Sequence, residues 1–482
     1  MSSVRARIRR GLLAAVGIGG ALAGLAIAPV ASAAEPALTL SAVEAAGTVP
    51  PAEPKPEVDG VSELDVLSFN VWHGGTRIDD GARQIADILK ETDADVTFLP
   101  EVGDAPAQVA RLLGYDHLTA TDTGIVSRYP ILESDTVDRW WTKAVLDVNG
   151  TEVVAYGGHL EYRWYATYLP RGYGGAVGGD WPDGWDTWNK LPGGPVTDVD
   201  AILEANRQSG RPATAAALVE DVAAERAAGR IAVVGGDFNE PSVQDWTEDT
   251  ADLQDHNGVV VPWQTTQTLI DGGLVDAFRE VHPDPVANPG TTWPSDNPLF
   301  PTSDLTWAPE ADERDRIDYV FVTPDDRVSI DDAIVVGPQS TIVRDERVED
   351  DSADVILTPD AVWPSDHKAV LASFSICDDG CAPAAPAWDR SAVYTAGDEV
   401  SYSGSTWRSA WWTSGTEPGA PYGPWQEIVE RDGVAQWTAS RIFEAGAVAA
   451  HDGRTYVAKW WTRNQEPGYR YGPWQPVDAA RP

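Results

Sequence analysis

The chain has 482 residues, 43% of them hydrophobic, and carries 35 Lys and Arg against 75 Asp and Glu, a formal charge of −40. That balance argues against a polybasic binder of DNA, since such a surface repels polyanions unless a local basic patch is built. It does not imply disorder, because 21 Trp and a full set of aliphatics can fill cores, and the length allows about three domains.

Arg5, Arg7, Arg9 and Arg10 precede an apolar, Gly- and Ala-rich run from Leu12 to Ala28, and Ala31-Ser32-Ala33 fits a small-residue cleavage site. Residues 1–34 are therefore expected to be an export signal of the general or twin-arginine kind, and the mature chain to be secreted without membrane insertion. Residues 35–62, rich in Pro, Ala and Glu, read as a flexible or extended linker.

From there strands and helices interleave, which points to α/β layers. Leu64–Asn70, Val96–Leu99, Ile125–Ser127, Val153–Tyr156, Ile231–Val234, Asp318–Val322 and Ala369–Phe374 have the branching and length of strands. Ala82–Lys90, with Ile85, Ile88 and Leu89 at helical spacing, and Ala107–Leu113 read as helices. Pro212 opens a third, Ala-rich helix in which Leu218 and Val222 share a face. Between His159 and Arg211 lies a Gly- and Pro-rich stretch holding Tyr162, Trp164, Tyr165, Tyr168, Tyr173, Trp181, Trp185 and Trp188. So many rings argue against a loose loop; they fit either a satellite core or an aromatic wall beside the site.

The most informative stretch is Ile231–Ser242, IAVVGGDFNEPS. A buried strand runs into Gly235-Gly236, and Asp237 and Asn239 follow two residues apart, so an extended backbone turns a carboxylate and an amide to one side. An Asx-turn at a strand end would leave the same trace. Other strand-like runs end alike: LDVLSFNVW carries Asn70, DVTFLPE ends in Glu101, GGHLEYR carries His159, RIDYVF carries Asp318 and SDHKAV carries Asp366 and His367.

In order and spacing these motifs resemble the endonuclease/exonuclease/phosphatase superfamily, the DNase I-like fold, over roughly 63–376. The resemblance implies a four-layer sandwich of two mixed sheets flanked by helices. It also implies a metal-dependent hydrolase of phosphoester bonds, with Glu101, Asn70 and Asp366 holding Mg²⁺ (Mn²⁺ or Ca²⁺ being alternatives). His367 is expected to be the general base, oriented by Asp318; Asp237 to hold water or metal; Asn239 to bind a phosphoryl oxygen; and His159 to contact phosphate or donate a proton. Pro100 and Thr214 depart from the family pattern, and His73, in NVWHGG, receives no role.

Cys377 and Cys381, the chain's two cysteines, sit in CDDGC within a second linker, 377–386; in an exported protein they favour a small disulfide loop. A tandem repeat follows at a constant offset of 49 residues, carrying Trp388 to Trp437 and Trp425 to Trp474. Units 387–427 and 436–476 are too short to fold on an ordinary core, and Trp makes up the volume. They resemble chitin-binding type 3 (family 5/12) carbohydrate-binding modules, which implies two small all-β domains whose aromatics stack on sugars. The candidates are Trp411, Trp412 and Trp425 in one copy and Trp460, Trp461 and Trp474 in the other, with one ring of each adjacent pair expected in the core.

The expected protein is a monomeric, secreted Mg²⁺-dependent phosphodiesterase or phosphohydrolase held on chitin or a related insoluble polysaccharide. Its substrate would be a phosphoester in a glycan, a lipid headgroup or a small molecule. An extracellular nuclease is the alternative, if Arg163, Arg171 and Arg207 assemble a basic surface. A catalytically silent carbohydrate-binding protein is a third reading, and the intact polar set argues against it.

Overall fold

Alternation of branched apolar residues with a polar terminus is what places two sheets face to face here. The structure, a computed structural model, describes residues 49–477 except 59, 177–184, 378–380, 382–384, 404, 432–433, 452–453 and 470. The export signal expected at 1–34, and Trp181, lie outside the described residues.

The first sheet has seven strands, in the order Ile356–Leu357, Val328–Val336, Ala369–Cys377, Val61–Ser68, Val96–Pro100, Thr123–Ser127 and Asp116–Thr119. The second has six: Ile131–Val137, Trp141–Val148, Thr151–His159, Ile231–Asp237, Asp318–Val322 and Val275–Asp276. Both are mixed, because Val61–Ser68 runs parallel to Val96–Pro100, and Thr151–His159 parallel to Ile231–Asp237. Leu64, Val66, Phe98 and Val370 of one sheet meet Val153, Val233 and Val320 of the other in the central core. Helices Gly81–Glu91 and Ala105–Leu113 cover the outer face of the first sheet through Ile85, Ile88 and Val109. Arg211–Ala227 and Gln264–Asp271 cover the second through Leu218, Val222 and Leu269. This is the four-layer sandwich expected, and Pro212 stands in the first turn of its helix.

The aromatic insertion does both things proposed for it. Trp164 and Trp185 pack with Trp246 and Trp263 in one satellite core, while Tyr165, Tyr168 and Tyr173 pack with Trp293 and Ile317 in another. It also contains a helix that was not expected, Val199–Arg207, started by the Asp198 side chain accepting from the Ala201 N–H at 3.2 Å. In the stretch read as linker, Lys55 is nearly buried, paired with Asp65 and lying 3.0 Å from Asp95 and 3.2 Å from Asp93. Cys377 and Cys381 form a disulfide at the end of the sandwich.

Each C-terminal repeat folds as a three-stranded antiparallel sheet: Glu399–Tyr402, Ser405–Ser409 and Trp425–Ile428, then Val448–His451, Arg454–Ala458 and Trp474–Pro476. Two expectations fail here. Trp425 (0% exposed) and Trp474 (3%) are core residues, not sugar platforms. Their ring N–H groups donate to equivalent carbonyls, Thr416 at 2.7 Å and Gln465 at 2.5 Å, which satisfies the buried donor. Nor is one ring of each adjacent pair internal: Trp411 and Trp412 are 45% and 64% exposed, Trp460 and Trp461 49% and 53%.

Candidate active site

The polar ends of the central strands fall at one end of the sandwich because the register puts them there. His159 pairs with Asp237, and Asp237 with Asp318, across three neighbouring strands. Asn70 and Glu101 follow the ends of two adjacent strands of the facing sheet, and His367 precedes a third. The sheets are locked at this height by the Gly236 N–H, which donates to Ser68 Oγ at 2.9 Å. Gly236 has φ of +132°, and a Cβ there would lie 1.8 Å from the Gly158 carbonyl oxygen, so only glycine fits. Glu101 (φ +57°) and Asn239 (φ +50°) also lie in the left-handed region, a backbone cost typical of functional positions.

Two histidine–carboxylate pairs converge on Asp237. His367 Nδ1 lies 2.9 Å from Asp318 Oδ2, and His159 Nδ1 lies 2.9 Å from Asp122 Oδ2. Each Nε2 then faces Asp237 Oδ2 at 3.8 Å. Asp237 is fixed by the Asn239 N–H donating to its Oδ1 at 2.8 Å and by Asn70 Nδ2 donating to its Oδ2 at 3.0 Å. Arg316 does not compete for Asp318; it pairs with Asp245 and Asp276.

Asn70 Oδ1 accepts the Trp72 N–H at 2.9 Å, and its amide nitrogen faces Asp237 and, at 3.4 Å, Glu101. Asn70 therefore orients two carboxylates, and its oxygen, expected at a metal, is engaged by the Trp72 N–H. Two contributors went unread in the sequence. Asp122 is one acidic residue among many with no local mark, whereas His73 was visible beside Asn70. The His73 backbone N–H donates to Glu101 Oε2 at 2.9 Å.

The electrostatics follow from crowding. Among the described residues, none of Glu101, Asp237, Asp318 and Asp366 pairs with Lys or Arg; the ionic partners of the first three are histidines. Burial, with Glu101 and Asp237 nearby, pushes Asp366 up to about 7, and burial pushes Asp318 up to about 6. Burial alone would lower His367, but Asp318 and Asp237 outweigh it and raise it to about 10. His159 is raised in the same way: Asp122 and Asp237 overcome its burial. Asp318 Oδ1 and Asp366 Oδ1 are buried and meet no donor in hydrogen-bonding geometry. Asp237, Asp318 and His367 offer ligand atoms within 4.8 Å of one another. Excess negative charge, unpartnered buried oxygens and hard donors together fit a divalent cation.

Above this floor opens a cleft of about 810 Å³, with Glu101, Asp366 and His367 in its lining. Its walls are rings: Trp72, Tyr162, Tyr168, Trp188, Trp293 and Trp307. Tyr162 stacks on His159 with centroids 6.4 Å apart, and Trp293 tilts against His367 at 5.0 Å. Of the arginines considered for nucleic acid, Arg171 is buried against Asp315, Arg163 grips Glu161, and Arg207 pairs with Glu204.

Two mixed sheets with carboxylates and imidazoles gathered at one end define a phosphoesterase-type hydrolase domain. Residues 67–367 match the model of the Endonuclease/Exonuclease/phosphatase family, and the chain belongs to that family. Residues 387–426 match carbohydrate-binding module family 5/12. An uncharacterized protein of Caenorhabditis elegans is 26% identical over 281 residues, covering 54% of this chain and 78% of its own length. Endoglucanase A of Evansella cellulosilytica is 46% identical over 43 residues, 9% of either chain. Among solved structures, an AP endonuclease from Archaeoglobus fulgidus is 16% identical, with a TM-score of 0.37, covering 65% of this chain and 99% of that one. No helix among the described residues is long and apolar enough to cross a membrane.

Proposed function

We propose that the protein is a secreted phosphodiesterase or phosphohydrolase that needs a divalent cation, Mg²⁺ being the first candidate, and that its tail holds it on chitin or a related insoluble polysaccharide. The observation that carries this reading is the pair of imidazoles facing one carboxylate from equal distances of 3.8 Å at the floor of the cleft. His367, its Nδ1 proton held by Asp318, takes a proton from the attacking water at Nε2 when neutral, a form that its raised value favours only toward alkaline pH. His159, held in the same way by Asp122, delivers a proton to the leaving oxygen. Asp237 and the Asn239 amide fix the water and a phosphoryl oxygen between them. Glu101 and Asp366 would hold the cation, which when bound supplies positive charge to the phosphoryl oxygens.

The aromatic walls and the shortage of unpaired cations support a glycan, lipid-headgroup or small-molecule phosphoester over a duplex, since rings stack on sugars or a headgroup cation while a polyanion needs basic contacts. The second repeat shares the 49-residue offset and the exposed Trp460–Trp461 pair with the first, which supports carbohydrate binding by both. The test is incubation with a bis-aryl phosphodiester, plasmid DNA, sphingomyelin and colloidal chitin, each with Mg²⁺ and with chelator. Cation-dependent turnover of a small diester is expected. DNA cleavage at ordinary salt would make the protein a nuclease, and absence of phosphoester turnover with any divalent ion would leave a carbohydrate-binding protein.

A further inference from the structure

The two repeats are not joined as beads on a string. Arg463, in the second, is 94% buried, with 6% of its surface exposed, and reaches into the first. Its Nη2 donates to the carbonyls of Gly423 at 2.7 Å and Trp425 at 3.0 Å, while its Nε donates to the Ser440 carbonyl of its own repeat at 2.7 Å. Its guanidinium also sits 5.4 Å from the centre of the Trp411 ring. Around it the last strand of the first repeat is tied to the opening of the second. The Glu427 N–H donates to Ser440 Oγ and the Ile442 N–H to Gln426 Oε1, each at 2.9 Å. These bonds end on main-chain atoms, which fixes direction as well as distance. The position equivalent to Arg463 in the first repeat, 49 residues earlier, is Ser414, so the clamp is not part of the repeat itself.

We infer that Arg463 welds the two modules into one rigid receptor whose exposed ring pairs, Trp411–Trp412 and Trp460–Trp461, are held at a single spacing and orientation, and that its partner is an ordered polysaccharide surface, not isolated soluble chains. The inference rests on reading both repeats as carbohydrate-binding modules. The physical argument concerns effective concentration. A flexible tandem offers its second site over a wide volume, so it gains from any polymer, ordered or not. A rigid tandem offers it at one place only, gaining much where sugars repeat at the matching spacing and little elsewhere.

The test uses the full chain, wild type and Arg463→Ser, on three probes: crystalline chitin, amorphous colloidal chitin and a soluble chitin hexasaccharide. Spin labels on the two modules report their separation. The expected wild type prefers crystalline over amorphous chitin and gives one narrow distance distribution. Arg463→Ser should broaden that distribution and lose at least about tenfold in partition onto crystalline chitin, with hexasaccharide affinity held within about twofold. Crystalline partition unchanged within about twofold would overturn the proposal, as would an equal loss on the hexasaccharide, which would reduce Arg463 to a local support of Trp411. A wild type that binds no polysaccharide would remove the carbohydrate reading, and this partner with it, whatever the labels report. Should Arg463→Ser fail to fold, Arg463→Lys keeps the charge and stem but not the fork that spans Gly423, Trp425 and Ser440, and the same outcomes apply.

Discussion

Asp237 shows how a single carboxylate can organise two imidazoles, and the residue scale is where the catalytic proposal is most exposed. His367→Ala should lower cation-dependent turnover by about 10²–10⁴-fold, the ordinary worth of a general base, while chitin retention in a pull-down is unchanged. Asp122→Ala should act through His159: the loss should be larger for diesters with alkyl leaving groups than for aryl ones, which need less protonation, and a rate series over leaving groups checks it. A third prediction concerns protons. Folded-state values are raised for His367, to about 10, and for Asp366, to about 7, so without a cation the native state binds protons more tightly than the unfolded chain. The stabilisation from both is complete at low pH and is lost as pH rises through those values. The metal-free melting temperature should therefore fall between about pH 5 and 9, and Mg²⁺ should flatten the slope by replacing the protons; calorimetry with and without chelator reads both effects.

At the scale of elements, what the sequence disclosed depended on whether a signal was local. Strands ending in a polar residue, such as Ile231–Asp237 and Asp318–Val322, were legible because an apolar run and its terminus lie in one window. Ile131–Val137 was not, since as an edge strand it exposes Glu133, Ser134 and Asp135 to water and lacks an apolar run. Register is not local at all: that His159, Asp237 and Asp318 stand in one row follows from pairing across three strands. The tryptophans failed for a related reason, because the repeat marks Trp411, Trp412 and Trp425 alike and only the packed sheet separates ring platform from core. Gly236 gives the matching prediction. Gly236→Ala would drive a methyl to 1.8 Å from the Gly158 oxygen, so the strands carrying Asp237 and His159 must part. A loss of about 1–3 kcal/mol in urea unfolding is expected, with turnover reduced beyond what the remaining folded fraction explains.

For the whole molecule, the proposed hydrolysis and retention fall to separate cores, since the central sandwich and each repeat bury their own hydrophobic clusters. Deleting residues 387–482 should spare turnover of a soluble diester within about twofold and abolish sedimentation with chitin, which an activity assay on the supernatant and pellet measures. Asp237 stands equally far from both imidazoles, one backed by Trp293 and the other by Tyr162. With His159 as the proton donor, the proposed reaction would expel whichever arm of an unsymmetrical diester lies on that side, so regioselectivity would be set by how well each substituent lies against Tyr162.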